Sequence, residues 1–187
     1  MSPAQEPTSA PSGFSRATTA IFALMRKITI ESTITEFAGD SELSGTDLAL
    51  LNAARNATGT AYAPYSEFHV GAAISLAGGK TITASNQENV AYPSGLCAER
   101  VAIFFASANH PGETIESVAV SCSSEKTGSD KPFSPCGACR QVLAEYEQKQ
   151  GSPIRILLGG KTGPVLLIES VKDLLPLVFE ADELKKK

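Results

Sequence analysis

The chain alternates between two hydrophobic periods, and that alternation sets its predicted elements. "KITIESTI", from Lys27, sets apolar and polar residues in turn, the period of a half-buried strand. "LSGTDLALLNAARNA" instead spaces Leu48, Leu51, Ala54 and Arg55 behind the cap candidates Ser44 and Thr46, which predicts a helix. "FHVGAAISLAGGKTITAS" holds two β-rich runs around Gly78-Gly79 and predicts a hairpin. "CAERVAIFFASANH" returns to a helix, closed by His110-Pro111-Gly112. A strand at "ESVAVSCS", a helix at "CGACRQVLAEYEQK", strands at "PIRILLGG" and "GPVLLIES", and a short last helix at "VKDLLPLVF" complete the series.

Helices that alternate with strands predict an α/β fold in which helices cover a five-stranded sheet. The Gly78-Gly79 turn makes the early strand pair antiparallel, and helices ahead of the later strands favour parallel neighbours there. No internal repeat interrupts the series. Residues 1–25 read differently: they are rich in Ser, Thr, Ala and Pro, with Glu6 their only acid. "AIFALM" is followed by Arg26-Lys27 without a small-residue cleavage site, so a secretory signal is not expected. This stretch reads as a disordered leader, or as sequence upstream of a true start at Met25, with an organellar transit peptide the weaker alternative. Residues 26–187 read as one domain.

Composition narrows the class. Hydrophobic residues make up 42% of the 187 and charged ones 19%, ordinary values for a globular chain with a full core. A net charge of −4, with no Lys/Arg stripe, argues against a nucleic-acid partner. Lys185-Lys186-Lys187 reads as a solvated tail. No segment reaches the roughly 20 apolar residues that span a bilayer, so no membrane partner is expected. Four cysteines are too few for a disulfide scaffold, and a C-x-x-C among them points to metal or redox use in a reducing compartment. A cytoplasmic location follows as the expectation.

Three of those cysteines fall in two short pieces, "YPSGLCAER" and "SPCGACRQV". Cys97, Cys136 and Cys139 supply three zinc ligands, and a catalytic zinc site keeps its fourth position for water. Cys97 and the C-x-x-C both sit where a helix begins, and the partial positive charge of a helix start favours the thiolate. Three thiolates leave a net negative charge on the site, which Arg100 is placed to offset through hydrogen bonds to sulfur. Cys122 reads as a small buried strand residue. Were it a fourth ligand, the chain would be a structural zinc module without chemistry. Neither His69, on a strand, nor His110, at a helix end, reads as a ligand. Glu99 would ordinarily be a solvated charge. Its place two residues after Cys97, with Pro135-Cys136-x-x-Cys139 downstream, matches the zinc deaminase pattern in which a glutamate moves protons and does not bind metal.

"AYAPYSEFHVGAA", "NQENVAYPSGLCAER", "SPCGACRQV" and "DLLPLVF" together resemble the cytidine deaminase family of the small, homotetrameric type, from about Leu43 to Leu184. The resemblance implies a three-layer α/β/α sandwich around a five-stranded mixed sheet, and one zinc per subunit on Cys97, Cys136 and Cys139. It implies Glu99 as the acid and base in hydrolytic deamination of free cytidine and deoxycytidine, a step of pyrimidine salvage. Asn86 and Glu88 resemble the pair that binds the ribose 3′-hydroxyl, and Phe68 the ring that packs on the pyrimidine. The Ala98 N–H resembles the donor to O2, and the Ser134 carbonyl the acceptor of the amino group. Tyr92 and Phe179 match positions that reach a neighbouring subunit's site, which implies pockets shared within a homotetramer. Val90 departs from the alanine common there. A blasticidin-type deaminase shares the zinc signature but lacks Asn-x-Glu-Asn. A polynucleotide-editing deaminase would need a basic groove and stacking aromatics.

Overall fold

The computed structural model describes residues 26–124, 129–180 and 184. The chain divides into two units, residues 1–30 and 31–187. Of the first, residues 26–30 are described, and they are exposed and without regular structure. The leader assignment for 1–25 and the tail assignment for Lys185-Lys186-Lys187 lie outside the described residues.

The second unit is built on a sheet of six strands, not five. They are β1 (Thr35–Phe37), β2 (His69–Leu76), β3 (Thr81–Ser85), β4 (Ile115–Ser123), β5 (Arg155–Gly159) and β6 (Val165–Ile168), ordered β1-β6-β5-β4-β2-β3. Its helices are α1 (Gly45–Ala57), α2 (Ala98–Asn109) and α3 (Gly137–Gln150). The extra strand is β1, which pairs antiparallel with β6 from Thr35↔Leu167 to Phe37↔Val165. The alternating residues before it, from Lys27 to Ile34, form no strand, and Ile28, Ile30 and Ile34 are exposed. A strand needs a partner as well as a period, and β6 is only four residues long.

The predicted hairpin is present. Gly79, at φ 80°, occupies a left-handed position that favours glycine, and its N–H closes the turn on the Leu76 carbonyl at 2.8 Å. β4 pairs antiparallel with β2 and parallel with β5, which it reaches through α3. The expected parallel arrangement stops there. β5 turns directly into β6, with Gly163 at φ 85° between them, so that pair is antiparallel. The last expected helix is a 3-10 turn, Val171–Leu174. Pro176 disfavours the α conformation of the residue before it, and the segment continues without helix.

Alternate strand residues feed two separate cores. Ala73, Ala119 and Leu157 pack with Leu50, Leu51 and Ala54 of α1. Ala72, Ile74, Val118, Val120, Ile156 and Leu158 pack with Ala102 and Ile103 of α2 and Leu143 of α3. Neighbouring strand residues point to opposite faces, so α1 lies opposite α2 and α3. Ser44 caps α1 by accepting from Asp47 N–H at 3.1 Å. At Gly71 the end of α1 comes so close that a Cβ would lie 2.0 Å from the Ala54 carbonyl oxygen.

One end of this sheet collects what the site needs. β2 starts there, β3 and β4 end there, and α2 and α3 both begin just beyond.

Candidate active site and metal centre

The two metal-ligand pieces are helix starts, as their sequences predicted. Cys97 precedes the first residue of α2 and Cys136 the first of α3, and neither side chain caps its own helix. Cys139 lies one turn into α3, so both sulfurs of the C-x-x-C point the same way. The Cys97 and Cys136 sulfurs are 3.8 Å apart, and those of Cys136 and Cys139 are 3.5 Å apart. A tetrahedral zinc with Zn–S bonds of about 2.3 Å separates its sulfurs by about 3.8 Å. The three cysteines therefore fit one zinc, and no further His, Cys, Asp or Glu among the described residues joins their group.

Electrostatics favour the thiolate at Cys97. A hydrogen bond from the Cys139 thiol, the Arg100 guanidinium and the Cys136 thiol bring it down to about 5, against burial, which acts the other way. Arg100 Nη2 lies 3.8 Å from Cys97 Sγ, the contact expected of it. The same hydrogen bond, together with burial, pushes Cys139 up. Cys122 stands apart: it is buried on β4, and burial alone raises it to about 11.

Glu99 is only 4% exposed, unlike an ordinary helix-surface acid. Burial raises its pKa, with the Cys97 sulfur adding to the rise, while its own backbone N–H and the Cys139 thiol act against it. It faces a cleft of about 660 Å³ that Cys97, Arg100 and Cys136 also line. Ligand sites of small molecules fall in this size range.

Other expected residues meet in the same cleft. The Gln87 N–H and carbonyl pair with the Leu96 carbonyl and N–H, both at 2.9 Å, which draws Asn86–Glu88 alongside Cys97. Asn86, Glu88, Phe68, Tyr92 and Ser134 all line the cleft. Asn86 is itself held: its Oδ1 accepts from Val70 N–H at 2.8 Å and its Nδ2 donates to the Phe68 carbonyl at 3.0 Å. Ala98 is the first residue of α2, where a backbone N–H has no acceptor within the helix. Phe179 is not in the cleft; it is 69% exposed, with its backbone held by the Gln141 side chain.

Three residues were not anticipated. Phe133 lines the cleft and meets Phe68 edge to face at 5.2 Å. Tyr65 lines it too and packs edge to face on Tyr92 at 5.8 Å. Arg140 donates to the Pro135 carbonyl at 2.8 Å and to the Leu174 carbonyl at 2.9 Å, fixing the approach to Cys136. Only the arginine directly after the C-x-x-C hinted at a supporting role.

The model of the cytidine and deoxycytidylate deaminase zinc-binding region matches residues 44–151, which contain the whole constellation. The chain belongs to this family. A cytidine deaminase of Halalkalibacterium halodurans is 36% identical over 135 residues, 72% of this chain and 95% of its own. A crystal structure of a cytidine deaminase from Burkholderia pseudomallei superposes with a TM-score of 0.62 at 39% identity, covering 73% of this chain and all of that one. A blasticidin-S deaminase of Bacillus cereus is 33% identical over 113 residues, 59% of this chain and 76% of its own. Among the described residues of this family member, no helix is long and apolar enough to cross a membrane.

Proposed function

We propose that the protein hydrolyses free cytidine and 2′-deoxycytidine to uridine and 2′-deoxyuridine with release of ammonia, using one zinc ion per subunit. The observation that carries this reading is a trio of sulfurs at tetrahedral spacing beside a buried glutamate in one nucleoside-sized cleft.

Zinc, when bound, supplies the Lewis acidity that makes water a nucleophile near neutral pH. Glu99 carries the protons. Buried at the cleft, it takes one proton of the attacking water and passes it to ring N3 while the water oxygen bonds to C4; it then carries the remaining hydroxyl proton to the amino group, which leaves as ammonia when the C4–N bond breaks. The Ala98 N–H donates to O2, the Ser134 carbonyl accepts from the amino group, and Phe68 packs against the ring. Asn86 and Glu88 take the ribose 3′-hydroxyl. Among the described residues, Arg100 is the only Lys or Arg lining the cleft, and it is engaged at Cys97.

A purely structural zinc module is disfavoured, since Cys122 stays outside the cysteine group. Asn86 and Glu88 disfavour the blasticidin-type reading. A homotetramer with shared pockets is supported by Tyr92, 74% exposed at the cleft mouth, and by the exposed Leu177 and Phe179. Helices on both sides of the sheet support the three-layer arrangement. A cytoplasmic enzyme with its catalytic domain in residues 26–187 completes the proposal.

Ammonia release over cytidine, deoxycytidine, cytosine, adenosine and blasticidin S, with and without chelator, tests it. Chelator-sensitive turnover of the two cytidine nucleosides is expected. Turnover of blasticidin S alone, or of nothing, overturns the reading.

A further inference from the structure

Away from the metal, one hydroxyl joins two walls of the cleft. Ser66 stands in the turn before β2, where Glu67 takes a left-handed backbone at φ 56°. Ser66 Oγ accepts from Phe68 N–H at 3.1 Å and donates to Glu88 Oε1. Glu88 Oε2 accepts from the N–H groups of Tyr65 at 2.9 Å and Ser66 at 3.3 Å. Burial raises the Glu88 pKa, but the Ser66 hydroxyl and these two amides outweigh it, so the group stays a carboxylate below its usual range.

A carboxylate offers about four acceptor positions. Three are taken by this one turn, and Oε1 keeps one, on a side chain that lines the cleft. We propose that Ser66 is a positioning residue for the substrate's sugar: it aims the remaining Oε1 lone pair at a sugar hydroxyl and ties that anchor to the Phe68 wall. The inference rests on the reading of Glu88 as the 3′-hydroxyl acceptor. Ser66 acts as donor to the sugar anchor and acceptor from the base wall at once. Alanine can do neither, and threonine can do both.

Steady-state kinetics on cytidine and 3′-deoxycytidine tests this, in the zinc-loaded full chain and its Ser66→Ala, Ser66→Thr and Glu88→Gln variants. Ser66→Ala is expected to lower the cytidine to 3′-deoxycytidine ratio of kcat/KM about tenfold, mostly through the KM of cytidine, as loss of a hydrogen bond to a charged group implies. Any disturbance of Phe68 falls on both nucleosides and cancels in the ratio. Ser66→Thr is expected to restore the ratio to within about twofold. Should Ser66→Ala not fold, Ser66→Gly removes the same hydroxyl. A wild-type ratio in the hydroxyl-free variant, with the ratio lost in Glu88→Gln, overturns the role of Ser66 alone. A wild-type ratio in Glu88→Gln as well overturns the sugar assignment and Ser66 with it. A wild-type enzyme inactive on cytidine refutes the deaminase reading itself.

Discussion

Glu147, buried on α3, accepts a hydrogen bond from the Val171 N–H at 2.9 Å. The same oxygen accepts from Ile154 N–H at 2.8 Å, and the other from Ser170 Oγ at 2.7 Å. One side chain therefore joins α3 to the entry of β5 and to the turn after β6. Glu147→Ala leaves two buried amides without partners, each worth about 1–3 kcal/mol. Urea unfolding is expected to show a loss of about 3 kcal/mol, with Glu147→Gln losing less.

The metal centre separates binding from chemistry. Cys97→Ala, Cys136→Ala and Cys139→Ala are each expected to abolish stoichiometric zinc, as measured by elemental analysis. Glu99→Gln is expected to keep the zinc and the fold while kcat falls about 10²- to 10⁴-fold, the range for a lost general acid and base. Near-normal turnover in that variant refutes the proton-shuttle role.

Arg100 reaches the Cys97 sulfur at 3.8 Å. Arg100→Ala removes the Nη2 contact to Cys97 Sγ and is expected to raise the zinc dissociation constant about 10- to 100-fold, the usual cost of losing such a supporting group. Competition with a chromogenic chelator measures it. An unchanged constant removes Arg100 from the site's support.

Gly71 sits where helix meets strand. A methyl group there would meet the Ala54 carbonyl oxygen at 2.0 Å and the Thr58 nitrogen at 2.7 Å, both backbone atoms that cannot swing away. Gly71→Ala is expected to cost about 3 kcal/mol or more in thermal unfolding, in the range of overpacked cores. Gly45→Ala, with nothing within 4 Å, is the matched control and is expected to be neutral or slightly stabilising.

Asp40 and Arg55 form a two-pronged pair at 2.7 Å and 2.9 Å. The guanidinium holds the Asp40 pKa below its ordinary value, more than burial raises it. A lowered folded-state pKa gives stability that is fully present above the unfolded value of about 3.9 and lost as pH falls through the folded one. The Asp40 side chain is 43% exposed, so solvent screening limits the pair to about 1 kcal/mol at pH 7. Melting curves of wild type and Asp40→Asn are expected to differ at pH 7 and to converge below about pH 4. A gap that widens in acid refutes this.

Chemistry was more legible in the sequence than topology. Cys97, Glu99 and the C-x-x-C announce themselves because paired thiols, a carboxylate beside them and helix starts leave a local signature. "KITIESTI" misled because alternation reports a possible face and not a partner. The direction of β6 depended on a turn at Gly163, which carries no more signal than any other glycine. Phe133 and Ser66 stayed silent, and Arg140 hinted only by its place after the C-x-x-C, because their contacts come from neighbours distant in sequence. Arg140 reaches Leu174 and Ser66 reaches Glu88 only after the chain has folded.

α3 is fastened twice, by sulfur at its beginning and by Glu147 near its end. Withdrawing the ion would free the first fastening and leave the second intact. The metal-depleted molecule would then keep its fold, with Arg140 still holding the stretch that enters Cys136.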